Sequence, residues 1–193
     1  MVVHFVLSGN NMIRRDNLFL SLFSTAAIVS PAYAVDYLTI AQAQTVLFPD
    51  ADAFTAHELT LTPDQRKQIN KISGVIRRRE DHQRVWKAAR GETVQGWLII
   101  DDVVGKHDDI TYATALSPDG RVLGVEIMSY REIYGGEVRD ANWRQNFVGK
   151  TLADPLKLDQ DIPNISGATL SSRNVMRGVK RLLALQQVAL PHA

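Results

Sequence analysis

The 193-residue sequence contains no cysteine. A thiol-free domain has no disulfide staple and no thiolate ligands, so iron–sulfur clusters and cysteine-bound zinc are excluded and stability must come from the apolar core. Histidine offers no substitute. The five histidines, His4, His57, His82, His107 and His192, are scattered, and none forms a spaced metal-binding pair. No metal site is expected. Charge of one sign is lacking too, with 22 Lys and Arg against 21 Asp and Glu. That balance lacks the basic excess that draws a protein to a phosphate backbone, so nucleic acid is not an expected partner. There is no internal repeat and no low-complexity segment.

What is present begins with a leader. Arg14 and Arg15 precede an apolar run from Leu18 to Val29, followed by Pro31 and the small-residue site Ala32-Tyr33-Ala34. This is the layout of a secretory signal peptide: a charged end held on the cytoplasmic side, an apolar stretch, and alanines that fit the pockets of a signal peptidase. The run is shorter than the roughly 20 residues of a membrane span. The expected reading is therefore a signal peptide over residues 1–34, cut before Val35, and a periplasmic or extracytoplasmic protein. Removing Arg14, Arg15 and Asp16 leaves 20 basic and 20 acidic side chains, a net charge of zero. Apolar residues make up 45% of the sequence, the share that a single packed domain of this length requires.

Along the remaining chain the patterns alternate between helix and strand. Residues 39–48 carry Ile40, Ala43, Val46 and Leu47 at helical spacing before Pro49. Residues 54–61 read as a strand, and Thr62-Pro63-Asp64 supplies a cap and an N-terminal proline for a helix over 63–72. Arg77, Arg78 and Arg79 form a charge run of the kind that is usually solvated. Strands rich in aromatic and branched residues are expected over 84–89, 94–100 and 110–116, with Ser117-Pro118-Asp119-Gly120 turning the last of these into a strand over 121–130. A short helix over 140–149 places Trp143 and Phe147 one turn apart. Residues 150–165 are a loop with two prolines, and 171–190 is an amphipathic helix with Val175, Val179 and Leu182 inward and Arg173, Arg177, Lys180 and Arg181 on the opposite side. Strands followed by a closing helix predict an α+β fold, an antiparallel sheet packed against helices in a single domain. Its N-terminal helical and strand segment spans 35–89 and its core 90–193.

The segment that carries chemistry is residues 161–176, DIPNISGATLSSRNVM. Ser166, Gly167 and Ala168 have little bulk, so backbone can approach a ligand closely. Thr169, Ser171 and Ser172 supply hydroxyls, and the free N–H groups and dipole at a helix start favour a phosphate. On these grounds alone two readings stand: an anion site, or a serine-rich helix cap with no ligand.

The string Ser166-Gly167-Ala168-Thr169-Leu170-Ser171-Ser172 resembles the SGAT-x-[ST]-S signature of FMN-binding domains, such as those in the flavin-carrying subunits of sodium-pumping quinone reductase and its Rnf relatives. The resemblance runs from about residue 90 to 185 and implies a single FMN-binding domain. It further implies that Thr169 is joined to FMN by a phosphoester bond, made by a separate magnesium-dependent flavin transferase from FAD with release of AMP. Arg173 on the first turn would offset the phosphate charge. Gly135 and Gly136 stand where the family has a glycine-containing loop, after a long strand, that touches the isoalloxazine. Trp143 and Phe147 are candidates to surround the ring or to pack the core. One departure is Pro163, where the family commonly has an acidic residue, with Asp161 two positions upstream. The implied function is an electron carrier that passes electrons between a membrane-bound or soluble redox partner and an acceptor, the flavin doing the redox chemistry. An FMN-dependent reductase of a small acceptor and a module that binds FMN noncovalently are the alternatives. No acid–base pair in the sequence favours the reductase.

Overall fold

Thr39 and Thr62 each close a capping box, and those two boxes start the first two helices. Helix α1 (Ile40–Leu47) begins where the Thr39 hydroxyl accepts from the Gln42 backbone N–H and the Gln42 side chain accepts from that of Thr39. Helix α2 (Pro63–Ser73) repeats the arrangement with Thr62 and Gln65, has its proline at the first position, and stops at Gly74 in the left-handed conformation. Each box satisfies N–H groups that a helix start otherwise leaves unbonded. The computed structural model describes residues 35–76, 82–132 and 135–191, the side chains of Val35 and Asp36 excepted. The expected leader, Arg77 to Arg79, Tyr134 and His192 lie outside the described residues.

The strands are β1 (Val35–Asp36), β2 (Ala53–Thr60), β3 (His82–Arg90), β4 (Thr93–Val104), β5 (Asp109–Leu116) and β6 (Val122–Tyr130). They form one sheet in the order β1-β6-β5-β4-β3-β2, every pair antiparallel. From β2 to β6 each strand pairs with its neighbour in sequence; short turns join β3 through β6, while the link from β2 to β3 carries α2. The turn between β5 and β6 is closed by the Gly120 N–H donating to the Ser117 carbonyl, with Gly120 at φ +82°, a conformation glycine adopts without steric cost. The two-residue strand β1, which no sequence pattern announces, docks on the edge of β6.

Side chains alternate across the sheet and sort the core into two layers. Trp97, Ile99, Ile110, Tyr112, Val125 and Ile127 face the larger layer, which includes Ile69 of α2 and Val175, Val179 and Leu182 of the last helix. Leu98, Ile100, Ala113, Ala115 and Met128 face the other way and are covered by Ala43 and Phe48 of the α1 segment. Strands covered on both faces read as continuous apolar runs, as β4 and β5 do.

The last helix, α4 (Thr169–Ala189), packs on α2, β4 and β5. Two details depart from the expected pattern. The region 140–149 holds only one short helix, α3 (Ala141–Gln145), preceded by a 3₁₀ turn at Gly136–Arg139. Arg181, expected on the polar side of α4, is buried. Its guanidinium lies 3.6 Å from Asp101 Oδ2 and donates to Gln83 Oε1 at 3.1 Å, while the Tyr112 hydroxyl donates to Asp101 at 3.0 Å. Sheet and α2 together cover more of α4 than one stripe, and residues 181–186 are all buried. Gly178 permits the close approach: a Cβ there would stand 2.2 Å from the Tyr112 hydroxyl oxygen. Among the described residues, no helix is long and apolar enough to cross a membrane.

Candidate functional site

Helix α4 starts at Thr169, two residues before the expected Ser171. Its N-cap is Ala168, which has no side-chain oxygen, and no side chain caps the helix. The first helical bond runs from the Ser172 N–H to the Ala168 carbonyl at 3.0 Å. The N–H groups of Thr169, Leu170 and Ser171 therefore lack helical acceptors, as the first turn of any helix does. Where α1 and α2 each begin with a capping box, α4 begins with alanine.

The segment before it is shaped by small residues. Gly167 has φ +81°, and the Ala168 N–H donates to the Ile165 carbonyl at 3.0 Å, which turns the chain into the helix. Ser166 and Gly167 are exposed, Ala168 is buried and Thr169 is half-buried. Gly135 lies against this turn: it has φ +90°, and a Cβ there would lie 2.6 Å from both the Ala168 Cβ and the Tyr130 hydroxyl oxygen. Gly136 is less constrained, since a Cβ there would meet Arg139 at an ordinary 3.5 Å. Tyr130, buried at the end of β6, stands 3.3 Å from Ser171 Oγ. Burial raises its phenol pKa, partly offset by the Ser171 hydrogen bond.

A cleft of about 320 Å³ opens at this helix start, near the lower end of the range for small-molecule sites, roughly 300–1,000 Å³. One wall is Gly167, Ala168, Thr169, Leu170 and Ser171; the other is Lys106, His107 and Glu132. Glu132 follows β6 and reaches the loop between β4 and β5, where its Oε1 accepts from the backbone N–H groups of Lys106, His107 and Asp108, the last at 3.1 Å. Burial pushes the Glu132 carboxyl pKa up, but those three donors outweigh it and hold the group below its ordinary value. The wall is apolar at Leu170, which is exposed; Val104, before the Gly105 loop, is also exposed, and its carbonyl accepts from the Asn174 side chain at 2.6 Å.

The remaining expected residues do not line this cleft. The Ser172 hydroxyl is turned inward, toward the carbonyls of Ala168 and Thr169 at 3.1 and 3.3 Å and toward Asn164 Oδ1 at 3.3 Å. Arg173 is exposed on the first turn. Trp143 and Phe147 are buried in the larger core layer, edge to face at 5.1 Å, so of their two readings packing holds. The Trp143 indole N–H donates to the Pro163 carbonyl at 2.8 Å, which ties the loop before the helix to α3. Asp161 is engaged within its own loop, accepting from the N–H groups of Leu156 and Lys157 at 3.1 and 2.8 Å and pairing with Lys150 at 3.3 Å. Lys106 and His107 were not legible as site residues. The hint of them in the sequence is Gly105, five residues past the expected strand, since glycine often marks close backbone approach.

The family model of the FMN-binding domain matches residues 105–184, from the Gly105 loop to the last third of α4. A subunit of the proton-translocating ferredoxin:NAD(+) oxidoreductase complex of Clostridium ljungdahlii is 25% identical over 181 residues, covering 89% of this chain and 88% of that protein. A subunit of an ion-translocating oxidoreductase complex of Cereibacter sphaeroides is 28% identical over 185 residues, covering 87% of this chain and 81% of that protein. The crystal structure of Shewanella oneidensis NqrC has the same fold, with a TM-score of 0.51 at 17% identity over 75% of this chain and 87% of that one.

Proposed function

The chain belongs to the FMN-binding domain family through residues 105–184, and from that premise we propose that it is an exported electron carrier holding FMN by a phosphoester bond to Thr169. The observation that carries this reading is the position of Thr169. It is a half-buried residue, the first of an uncapped helix, in the wall of a cleft. A phosphate there meets the free N–H groups of the first turn and the positive end of the helix dipole. Attachment joins the Thr169 oxygen to the phosphorus of the FMN half of FAD, breaks the pyrophosphate bond and releases AMP, with the hydroxyl proton passing to solvent or to the transferase. A flavin transferase is accordingly the maturation partner.

The bound flavin supplies one- and two-electron chemistry; the chain supplies position and dielectric. Gly167, Ala168, Leu170 and Ser171 form the wall beside the attachment point, with Ser166 at its rim. Gly135 holds Ala168 in place from behind, Gly136 leads into the following 3₁₀ turn, and Ser172 fixes the first helical turn from inside. Lys106, in one wall, and Arg173, on the first turn of α4 beyond the other, are suited to balance the phosphate. Exposed Leu170 and Val104 leave an apolar rim against which a redox partner can dock. The relatives' membership of ion-translocating oxidoreductase complexes supports such a partner, and the leader at residues 1–34 supports a site of action outside the cytoplasm.

The test is in-gel flavin fluorescence after full denaturation of protein co-produced with a flavin transferase. Fluorescence that survives in the wild type and is lost in Thr169→Ala supports the covalent carrier. Colour that leaves on denaturation means that FMN is held reversibly.

A further inference from the structure

The wall facing Thr169 is built on one carboxylate. The loop from Gly105 to Asp108 turns on a backbone bond from the Gly105 N–H to the Asp108 carbonyl at 2.7 Å. Inside that turn a single oxygen of Glu132 collects three successive N–H groups, from Lys106, His107 and Asp108. Charge-assisted bonds of this kind are about twice as strong as neutral ones. Gly105 is part of the same device: a Cβ there would stand 2.4 Å from Glu132 Oε1 and 3.0 Å from its Cγ. Only glycine lets the carboxylate lie against the loop.

We infer that Glu132 is a positioning residue for the flavin cleft, acting through residues 105–108 to hold Lys106 and His107 across from Thr169. The inference rests on the flavin reading given above. Its consequence is counterintuitive in sign. A carboxylate that merely lined a phosphate-binding cleft would repel the ligand, and its removal would tighten binding. A carboxylate that organises the opposing wall does the reverse, because its removal frees the loop and raises the entropy lost when the ligand binds.

The experiment uses the full chain produced without a flavin transferase, so that FMN binding is reversible, and compares wild type with Glu132→Ala, Glu132→Gln and Lys106→Ala. Two readouts are taken: hydrogen exchange at the amides of residues 106–108 in the ligand-free protein, and the dissociation constant for FMN. Expected are faster exchange at those amides in Glu132→Ala, with an intermediate rate in Glu132→Gln, whose amide oxygen still accepts hydrogen bonds. FMN binding by Glu132→Ala should weaken about tenfold, the equivalent of one charge-assisted bond. Combining Glu132→Ala with Lys106→Ala should weaken it less than the two single effects predict together, because one acts through the other. Unchanged exchange at 106–108, tighter FMN binding in Glu132→Ala, or fully additive losses would each overturn the inference. Absence of flavin from the wild type both in this titration and in protein co-produced with a flavin transferase would overturn the flavin reading itself and be visible before any variant is compared.

Discussion

Arg181 and Asp101 form an ion pair at 3.6 Å between helix α4 and strand β4, each side chain only 4% exposed. The pair sits beneath the same helix whose first residue is Thr169, so it fixes how α4 lies on the sheet. Removing one partner leaves the other charge buried without this ion pair. Arg181→Met should cost about 3–5 kcal/mol in urea unfolding. Arg181→Met combined with Asp101→Leu should cost clearly less than that single change, since apolar replacement of both partners of a buried pair is often close to neutral.

Gly135 tests the link between the loop after β6 and the helix start. Alanine there is strained by the positive φ and stands 2.6 Å from the Ala168 Cβ, so one of the two must move. Gly135→Ala should destabilise the fold by about 1–3 kcal/mol and lower the fraction of chains that carry flavin. Gly136→Ala, with ordinary contact distances and no positive φ, should do neither to a comparable degree. Thermal melts and flavin-to-protein absorbance ratios check both.

The capping boxes give a prediction independent of function. Thr62→Ala and Thr39→Ala each remove a side-chain acceptor and should lower stability by about 1 kcal/mol, read from denaturant midpoints. Ala168→Ser supplies the acceptor that α4 lacks. It should stabilise the ligand-free protein but compete for the N–H groups that a phosphate would take.

Acid should weaken the fold through Asp161 and Glu132. For Asp161, burial raises the carboxyl pKa, but the backbone N–H groups of Lys157 and Leu156 and the nearby Lys150 outweigh it and hold it below the ordinary 3.8; Glu132 is held below 4.5 by its loop bonds. A folded-state pKa below the unfolded value means stability that is fully present above the unfolded pKa and lost as pH falls through the folded one. Unfolding free energy should therefore decline as pH drops below about 4.5. Asp161→Asn should flatten the lower part of that decline in pH-dependent denaturant titrations.

Much of the fold was legible because its signals are local. Thr39 and Thr62 sit three residues before glutamines, Pro63 stands at a first helical position, and the strand runs from 84 to 130 alternate or saturate with apolar residues as sheet burial demands. The SGATLSS string marked the helix start to within two residues. What escaped were long-range relations. Arg181 reads as a surface arginine until Asp101, Tyr112 and Gln83 arrive from three different strands. Lys106 and His107 read as loop residues until Glu132, well over twenty positions later, gathers their backbone. The two residues of β1 are too few to carry a period at all, and Trp143 could be assigned to core or cofactor only once its position under the loop was known.

The central claim is the bond at Thr169, and intact-protein mass spectrometry after denaturation tests it most directly. The sample is protein co-expressed with a flavin transferase, wild type beside Thr169→Ala. A mass increase of one FMN moiety in the wild type alone, on a chain beginning at Val35, is the predicted result. A wild-type mass equal to that of the bare chain, or an FMN increase that persists in Thr169→Ala, would contradict it.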